Sequence, residues 1–450
     1  MNENNTPKIV VRFAPSPTGP LHVGSIRAAL FNYIFAKQNN GKYILRIEDT
    51  DKERSKKEYE DGIIESFAWL DLPYDEIYRQ SERTDIYKKY LQQLVESGHA
   101  YISKEESLEE GKRSEVIRFK NPNKKVTFHD LIRGEVTFDT TELKDFVIAK
   151  SLEEPLYHLA VVIDDHEMGI THIIRGEDHI SNTPRQILIQ EAIGAIRPIY
   201  AHLPLILAAD RSKLSKRKHG EFVSLSFYRN KGYLKEAIIN FMALLGWNPG
   251  TDQELFSIED LVKQFDIARV QKSGAIFDTT KLDWLNREYI KKMPTEEITA
   301  LIKTATSKWN PSESTIQKLL PIVLDRITTL ADIETMEELE YLFAKPTYEK
   351  DSLLCPEKLR KGSTAGLPEV KNYLQESVSI LEKIPEDDFI AEKIKTYLWD
   401  YATEKGRGLV LWSIRYALSG KEKSPDPFTL ADILGKKETL DRIQSAISLL

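Results

Sequence analysis

The first fifty residues change their hydrophobic period twice. Residues 8–14 (KIVVRFA) are mostly apolar and β-branched, which is typical of a buried strand. Apolar residues then recur at helical spacing through SIRAALFNYIFAKQNN, for example at Ile26 and Ile34, and Asn40 with Gly41 supplies a helix-ending signal. KYILRIEDT follows with a second strand pattern. Strand, helix and strand in this order predict a βαβ unit and therefore a parallel sheet.

Farther along, the pattern divides the chain into an α/β half and a helical half. Short strands with charged turns occupy residues 100–155, and alternation returns in LYHLAVVIDDHEMGITHIIRG and PIYAHLPLILAA. Beyond residue 225 the strand signals fade and amphipathic helices follow. We predict an α/β fold, with a doubly wound parallel-sheet (Rossmann-like) domain that carries an α+β insertion, followed by all-α domains. The predicted parallel-sheet domain comprises residues 1–100 and 186–225. The predicted insertion comprises residues 101–185, and its later strands would complete the active site. The predicted helical domains are residues 226–315 and 316–450.

Composition and charge narrow the class of protein. Of 450 residues, 41% are hydrophobic and 30% are charged, which is ordinary for a soluble globular protein. The single cysteine, Cys355, excludes an intrachain disulfide framework and a cysteine-rich zinc knuckle. The polar start MNENNTPKIV has no secretory signal, and no apolar run approaches the roughly 18 residues of a membrane span. We therefore expect a soluble, cytoplasmic protein with no membrane partner.

Basic residues are clustered, although the formal net charge is -7. That charge by itself argues weakly against nucleic-acid binding, but local basic surfaces are what attract phosphates. KERSKK and KNPNKK fit ordinary solvated faces. RSKLSKRKHG (211–220) differs, because it directly follows the strand pattern HLPLILAA.

PSPTGPLHVGS joins the first predicted strand to the first predicted helix. Ligands of open parallel sheets bind at the carboxyl ends of the strands, where a helix N-terminus favours phosphate. Gly24 lets a ligand approach the backbone, and His22 can donate a hydrogen bond to a phosphate oxygen. Because His-x-Gly is a common tripeptide, this stretch taken alone also fits a plain proline-rich loop.

KLSKR contains two lysines three residues apart, Lys213 and Lys216, with the small Ser215 between them. Lysine is a compact point charge, which suits the charge that grows on transferring phosphoryl oxygens. Alone, this basic run would be a weak signal. Together with the His22 turn on the same predicted sheet, it predicts a clamp for a triphosphate.

PSPTGPLHVGS resembles the HIGH signature, and KLSKR the KMSKS signature, of class I aminoacyl-tRNA synthetases. RFAPSPTG, RIEDTD, YRQSER, LYHLAVVIDDHEMGITHIIRGEDHISNTPRQ and FDTTKLDWLNREYI are similar to glutamyl-tRNA synthetases of the bacterial type. GRGLVLWSIRYALSG and ADILGKKETLDRI, near the C-terminus, match the same family. The resemblance therefore covers almost the whole chain.

The resemblance implies ATP-dependent ligation of L-glutamate to tRNA-Glu through glutamyl-adenylate, with tRNA needed for activation. The first step needs no protein nucleophile, only positioning and cations around phosphorus. His22, Lys213 and Lys216 would be catalytic, stabilising charge on the phosphates, with Mg²⁺ on the leaving pyrophosphate. The implied ATP-binding residues are His22, Gly24, Ser25, Asp178, Lys213, Ser215 and Lys216.

The resemblance also implies a pocket for glutamate. Because buried charge must be paired, two carboxylates and an ammonium group call for two cations and one acid. Arg12 would hold the side-chain carboxylate, Arg175 the α-carboxylate, and Glu48 would face the ammonium group. The implied glutamate-binding residues are Arg12, Ala14, Ser16, Glu48, Tyr157 and Arg175, and His179 would lie with Asp178 near the ATP ribose or the tRNA 3′ end.

The same resemblance gives the domains their expected roles. The insertion would bind the tRNA acceptor end, residues 226–315 would contact the tRNA stem, and residues 316–450 would bind the anticodon. The chain would be a monomer. Because residues 100–113 contain no cysteine, where some relatives hold zinc, we predict no bound zinc and no other protein-held metal.

Three positions depart from the family pattern. The HIGH-like motif ends in Ser25, a substitution that the family tolerates, and Val161 stands where many relatives have asparagine. An amide contact to the substrate side chain is then missing, and discrimination would depend more on Arg12 and Tyr157. Glu340 precedes Tyr-Leu-Phe where relatives that reject tRNA-Gln carry arginine, which leaves open whether the enzyme also charges tRNA-Gln.

Four alternative functions compete with this interpretation. A truncated paralogue that modifies a tRNA base lacks the anticodon-binding region, which this chain keeps, and a glutaminyl enzyme typically has an RFDDTN-like sequence in place of RIEDTD. A small-molecule nucleotidyltransferase does not account for the long helical half. A non-catalytic tRNA-binding paralogue has no need of His22, Lys213 and Lys216 together.

Overall fold

A computed structural model describes residues 8–105, 115–360 and 364–450, with the side chains of Lys216, Glu337, Glu338 and Leu359 left out. The chain forms two compact units, Met1–Tyr289 and Ile290–Leu450. We describe each unit by itself, and the four-part division expected from the sequence stays a prediction.

The first unit contains strands and helices in alternation. Its strands are β1 (Val10–Phe13), β2 (Lys42–Ile47), β3 (Glu76–Arg79), β4 (Ala100–Lys104), β5 (Glu115–Phe119), β6 (Lys125–Asp130), β7 (Gly134–Asp139), β8 (Phe146–Ser151), β9 (Glu154–Pro155), β10 (His172–Gly176), β11 (Ile199–Leu203), β12 (Ile206–Leu207) and β13 (Ala275–Ile276). Its helices are α1 (Val23–Gln38), α2 (Lys57–Leu70), α3 (Thr84–Glu96), α4 (Tyr157–Glu167), α5 (Thr183–Ile193), α6 (Lys216–His219), α7 (Leu225–Asn230), α8 (Lys235–Leu244), α9 (Ile258–Gln264) and α10 (Thr279–Ile290), in which the unit ends.

A parallel sheet forms the centre of this unit, as predicted. β1, β2 and β3 pair in parallel, and β10 pairs in parallel with β11. The Thr171 backbone N–H, just before β10, donates to the Val10 carbonyl over 2.9 Å, which sets β10 beside β1. The resulting strand order is β3-β2-β1-β10-β11. The chain adds β2 and β3 on one side of β1 and later adds β10 and β11 on its other side. Ligands of such parallel sheets bind in the crevice where the order of strands changes side.

The predicted βαβ unit is confirmed, and its helix ends next to the predicted signal Asn40-Gly41. α1 is buried around most of its circumference, between the sheet and helices α8 and α9, and it stops at Gln38. Of the two residues in the predicted ending signal, Asn40 has the left-handed backbone (φ 49°). Gly41 is needed for close packing, because a Cβ there would lie 2.6 Å from the Ile9 carbonyl oxygen.

The short strands expected between residues 100 and 155 separate into two groups. β4, β5, β8 and β9 form an antiparallel sheet of their own. The hairpin of β6 and β7 instead joins the edge of the parallel sheet, where Tyr200 of β11 pairs with Asp130. Asp130 thereby comes next to β11 and close to the strand ends.

One strand lies beyond residue 225, where the sequence pattern shows none. β13 is only two residues long and pairs in parallel with β12, so it is too short to produce a periodic signal. Gly274 permits this pairing, because a Cβ there would lie 2.6 Å from the Leu207 side chain.

The second unit is helical throughout its described residues. Its helices are α11 (Thr295–Ala305), α12 (Glu313–Arg326), α13 (Asp332–Thr335), α14 (Glu337–Phe343), α15 (Glu357–Arg360), α16 (Leu367–Leu381), α17 (Ala391–Lys405), α18 (Arg407–Ser419) and α19 (Pro427–Leu449), the last with a kink at Gly435.

A buried arginine organises this helical unit. Arg442 donates from its Nη1 atom to the carbonyls of Tyr341 (2.6 Å) and Leu418 (2.7 Å), and from Nη2 to those of Leu342 and Ala344. These carbonyls lie at the C-terminal ends of α14 and α18, where the last carbonyls of a helix have no N–H donors within the helix. Arg442 therefore fastens two helix ends to α19.

Among the helices of the described residues, none is both long enough and apolar enough to span a membrane.

Candidate active site

A cavity of about 520 Å³ lies where β1, β2 and β10 end. It brings together every site residue predicted from the sequence except Lys216, whose side chain is outside the described part of the chain. The predicted residues that line it are Arg12, Ala14, Ser16, His22, Gly24, Ser25, Glu48, Tyr157, Arg175, Asp178, Lys213 and Ser215, together with His179 and Val161.

The proline-rich turn between β1 and α1 is held by its carbonyl groups. The Glu48 backbone N–H donates to the Pro15 carbonyl (2.9 Å) and the Lys56 N–H donates to the Pro17 carbonyl (3.0 Å). Proline has no N–H of its own and fixes φ, so the turn presents acceptors in a rigid shape. It thereby ties the end of β1 to the end of β2.

His22 caps α1. Its Nδ1 atom accepts a hydrogen bond from the Gly24 backbone N–H at 2.9 Å, so in the neutral ring the proton is on Nε2. Burial, and secondly the charge of Lys213, lower the pKa of His22, while Asp178 acts in the opposite direction. A Cβ at Gly24 would lie 3.1 Å from Nδ1, so glycine keeps this cap and the helix end accessible.

The lysine-rich signature begins on a tight hairpin. Lys213 pairs with Leu207 of β12, and the Leu214 N–H donates to the Ile206 carbonyl (3.0 Å). The Lys213 Nζ atom lies 3.1 Å from Asp178 Oδ2, and both side chains are about half exposed, at 55% and 44%. This ion pair lies at the open end of the cavity, beside the positive N-terminus of α1.

The segment after the signature returns to the His22 turn. Lys216 begins the short helix α6, and the Ser215 N–H donates to His219 Nδ1 (3.1 Å) at its other end. Farther on, the Leu225 N–H donates to the Leu21 carbonyl (3.1 Å). The signature loop is thus fixed to β12 on one side and to the His22 turn on the other.

The opposite end of the cavity contains a buried ionic cluster. Arg12 Nε and Arg46 Nη1 both donate to Asp165 Oδ1, at 3.0 and 2.7 Å, and Arg46 Nη2 donates to Glu48 (3.0 Å). Burial acts to raise the pKa of Asp165, but Arg12 and Arg46 outweigh it and lower that pKa. For Glu48 burial prevails, and its pKa is raised.

A second carboxylate, Asp164, supports the cluster from behind. It accepts hydrogen bonds from Arg83 Nε (2.7 Å), Gln80 Nε2 (2.9 Å) and the Tyr87 hydroxyl (2.8 Å), and it lies 3.8 Å from Arg46. Every polar contact of this carboxylate is inside the protein, since Asp164 is fully buried. The cluster is therefore held in place by fixed neighbours.

Sequence reasoning missed Arg46, Asp164 and Asp165 as parts of the site. A signal existed for each, because Arg46 falls in the apolar strand YILRI and the two aspartates follow the apolar run LAVVI on α4. Charged residues are almost never buried without a partner. Charges inside apolar segments are therefore candidates for an internal ion pair.

Arg175 differs from Arg12 because, in the described part of the chain, no carboxylate pairs with it. Its Nε atom donates to His202 Nε2 (3.2 Å) and its Nη2 atom to the Thr183 hydroxyl (2.9 Å). Its Nη1 atom is buried and has no hydrogen-bond partner among the described residues. A buried guanidinium with free donors, in the wall of a cavity, suits a carboxylate ligand.

Helix α4 contributes one face to the cavity. Tyr157, Val161 and Asp165 follow one another at four-residue spacing, so they lie along the same side of the helix. The Tyr157 hydroxyl lies 3.1 Å from His179 Nδ1, and burial raises the pKa of Tyr157 to about 12. Val161 is buried in the wall and offers no polar group.

Comparisons with protein families first show the class of protein to which the chain belongs. The family described as tRNA synthetases class I (E and Q), catalytic domain, matches residues 8–115 and 103–284. The family described as anticodon binding domain matches residues 285–447. The chain is thus a class I tRNA synthetase in architecture, with a parallel-sheet catalytic part and a helical C-terminal part.

Individual relatives then give the family. A glutamate–tRNA ligase from Carboxydothermus hydrogenoformans is 42% identical, covering 97% of this chain and 99% of the relative. Glutamate–tRNA ligase 1 from Petrotoga mobilis is 41% identical, covering 98% and 97%. The crystal structure of a glutamate tRNA ligase from Elizabethkingia meningosepticum in complex with its amino acid superposes with a TM-score of 0.85 at 35% identity, covering 98% and 99%. The chain belongs to the glutamate–tRNA ligase family.

Proposed function

We propose that this chain ligates L-glutamate to tRNA-Glu, using ATP, through a glutamyl-adenylate intermediate. The observation that carries the proposal is Arg175, a buried cation with no carboxylate partner among the described residues, in the same cavity as His22 and Lys213. The cavity thus offers a buried carboxylate-binding end and an exposed phosphate-binding end. A substrate with carboxylates and a substrate with phosphates can meet between them.

At the buried end, each charge of glutamate has a counterpart. Arg12 binds the side-chain carboxylate, Arg175 the α-carboxylate, and Glu48 the ammonium group. Ser16 and Tyr157 add hydroxyl groups. Arg12 already has a carboxylate partner, Asp165, through Nε and Nη2, whereas Arg175 has no carboxylate partner among the described residues. Both arginines line the same cavity, which fits an amino acid carrying two carboxylates.

At the exposed end, the α-carboxylate oxygen of glutamate attacks the α-phosphorus of ATP, and the bond to the β-phosphate oxygen breaks. His22 Nε2–H donates to a phosphate oxygen, the α1 N-terminus at Gly24 and Ser25 adds its dipole, and Lys213 with Lys216 stabilises the leaving pyrophosphate. Mg²⁺ enters bound to the ATP phosphates and neutralises part of their charge. Asp178 contacts ATP once Lys213 has moved to the phosphates.

In the second step the terminal ribose hydroxyl of tRNA attacks the activated carbonyl, and AMP leaves. We assign the acceptor end to residues 101–185, the stem to 226–315 and the anticodon to 316–450. We also expect a monomeric, cytoplasmic enzyme. We expect no bound zinc, although residues 106–113 of the relevant segment are outside the described part of the chain.

Glutamate-dependent ATP–pyrophosphate exchange, measured with and without tRNA-Glu, tests the function. We expect exchange only when tRNA is present, since the resemblance implies tRNA-dependent activation. Exchange without tRNA would contradict that part alone. No exchange in either condition would overturn the enzyme proposal and favour a non-catalytic tRNA-binding paralogue.

Variants of a buried and of an exposed arginine test the glutamate-binding role of Arg175. Arg175→Leu should raise the KM for glutamate about 10³-fold, the scale of losing one partner of a buried charge pair, and leave the KM for ATP unchanged. Arg197, an exposed arginine paired with Glu191, is the matched control, and Arg197→Leu should change neither constant. Equal effects of both variants would refute the assignment of Arg175.

Specificity for tRNA depends on the second unit. Glu340 is exposed on α14, directly before the buried Tyr341 and Leu342. Because an acid stands where arginine is expected in relatives that reject tRNA-Gln, we propose that both tRNA-Glu and tRNA-Gln are charged. Charging assays with each purified tRNA test this, and Glu340→Arg should lower the rate with tRNA-Gln selectively.

A further inference from the structure

A chain of buried hydrogen bonds lies behind Arg175. Asp130, at the end of β6, accepts from His202 Nδ1 through Oδ2 at 2.6 Å. His202, on β11, accepts in turn from Arg175 Nε at 3.2 Å through Nε2. Asp130 and His202 are fully buried, and neither residue lines the cavity. The His202 ring contacts Arg175, which lines the cavity, and Thr183, which bonds to Arg175.

The carboxylate of Asp130 determines which nitrogen of His202 carries the proton. An ionised carboxylate only accepts, and its Oδ1 atom is already engaged by the N–H groups of Ile132 and Arg133, at 2.9 Å each. His202 must therefore donate from Nδ1, which leaves the Nε2 lone pair for Arg175. Burial lowers the pKa of His202 although Asp130 raises it, which agrees with a neutral ring.

This arrangement orients the guanidinium group. His202 engages Nε and Thr183 engages Nη2, so two of its three nitrogens are fixed by strong contacts. The Nη1 atom has no partner among the described residues, and the second contact of Nη2 is a long one, 3.5 Å to the His179 carbonyl. These two nitrogens then form the edge that a carboxylate binds with two parallel hydrogen bonds. The opposite tautomer of His202 would place an N–H against the Arg175 Nε–H and push this edge out of position.

We propose that Asp130 and His202 are positioning residues that hold Arg175 in the orientation that binds a carboxylate of the substrate. The inference rests on the proposed glutamate-binding role of Arg175. Asp130 belongs to the β6–β7 hairpin, which lies within the predicted acceptor-end insertion. Part of the predicted insertion would therefore help to orient an arginine of the amino-acid pocket.

Three variants test the proposal by tRNA-dependent exchange. His202→Leu, which removes the acceptor, should raise the KM for glutamate about 30-fold and change kcat and the KM for ATP by less than about threefold. Asp130→Asn places an amide N–H opposite Nδ1, reverses the tautomer, and should act in the same direction. His202→Gln keeps an acceptor oxygen near the Nε2 position and should recover most of the loss.

A second pair of measurements separates positioning from general structural damage. His172→Leu removes another buried histidine, on neighbouring β10, and should leave the KM for glutamate unchanged. In an Arg175→Lys background, which lacks the Nε–H, His202→Leu should add less than about twofold to that KM. Additive effects, or equal rises in both substrates' KM, would overturn the proposal.

The outcomes keep the two proposals distinct. A wild-type enzyme that shows no glutamate exchange contradicts the proposed function. A wild-type enzyme that is active, with a normal glutamate KM in His202→Leu and Asp130→Asn, contradicts the positioning role alone. If His202→Leu fails to fold, the contrast between Asp130→Asn and His202→Gln decides, since both replacements are polar and close in size.

Discussion

The two ends of the cavity are built from similar charges in opposite ways. At the proposed amino-acid end, Arg12, Arg46, Asp165 and Glu48 are at most 7% exposed and form a connected set of ion pairs. At the proposed phosphate end, Lys213 and Asp178 form one ion pair that is about half exposed. Fixed charges need no rearrangement when substrate arrives, whereas an exposed pair exchanges partners easily.

The energies of such pairs explain the division. Removing one partner of a buried pair leaves a charge without compensation and costs about 3–5 kcal/mol, whereas an exposed pair contributes roughly 0–1 kcal/mol. Lys213 can therefore leave Asp178 for the phosphates of ATP at little cost. Arg12 cannot leave Asp165, so its orientation is set before glutamate binds. The comparison predicts that variants at the buried end affect stability and variants at the exposed end affect rate.

Asp165→Ala is expected to have the largest effect. It leaves Arg12 and Arg46 without their shared carboxylate, so the free energy of unfolding should fall by about 3–5 kcal/mol. Asp178→Ala is the matched variant from the exposed end, and it should cost less than about 1 kcal/mol. Urea unfolding of both variants, followed by tryptophan fluorescence, measures the difference. Similar losses of unfolding free energy for the two aspartate variants would contradict the proposed difference between the buried and the exposed end.

Lys213→Ala should affect rate instead of stability. Losing one donor to the charge that develops on the phosphates lowers kcat of ATP–pyrophosphate exchange about 10²-fold, while the urea midpoint stays at the wild-type value. Lys216→Ala should act on the same scale. Arg211, exposed at the tip of the same hairpin, is the control, and Arg211→Ala should keep kcat within about twofold. An unchanged rate in Lys213→Ala would show that the clamp is assigned to the wrong residues.

The sequence could predict that the candidate site residues lie close together, because these residues occur near the ends of strand patterns or at the start of a helix pattern. His22 comes shortly before a helix pattern, Glu48 lies near the end of a strand pattern, and the lysine signature follows another strand pattern. The carboxyl ends of parallel strands meet at one edge, so these residues converge in one cavity. The fold class followed from the same periodicity.

The partners of these residues could not be predicted in the same way. Asp165 lies 153 positions from Arg12, and Asp130 lies 72 positions from His202, so only the packed fold brings them together. Buried charge signals that a partner exists without telling which one. The β6–β7 hairpin adds to this difficulty, because local alternation gives no sign that it pairs with β11 instead of the insertion's own sheet.

Gly24→Ala tests the accessible helix end at a smaller scale. The new Cβ would lie 3.1 Å from His22 Nδ1, so the cap must shift and the phosphates lose part of their donors. We expect the KM for ATP to rise about tenfold with the KM for glutamate unchanged, since one displaced charge-assisted hydrogen bond corresponds to about that factor. Gly62→Ala, on helix α2 with open space around it, should change neither constant. A rise in the glutamate KM instead would mean that Gly24 serves the buried end.

The pH dependence of the rate should show the smallest effect. Burial and the charge of Lys213 lower the pKa of His22 below its ordinary 6.5, so less than half of the rings are protonated at pH 6.5. Because only the neutral ring can accept the Gly24 N–H, kcat at saturating substrates should fall less than about twofold from pH 8 to 6.5 and decline more steeply below that pH. Asp178→Asn removes a charge that raises this pKa and should shift the decline to lower pH. A rate that rises instead of falling as the pH is lowered from 8 to 6.5 would mean that the working enzyme needs the protonated ring, and that the contact of His22 with phosphate is ionic instead of a neutral hydrogen bond.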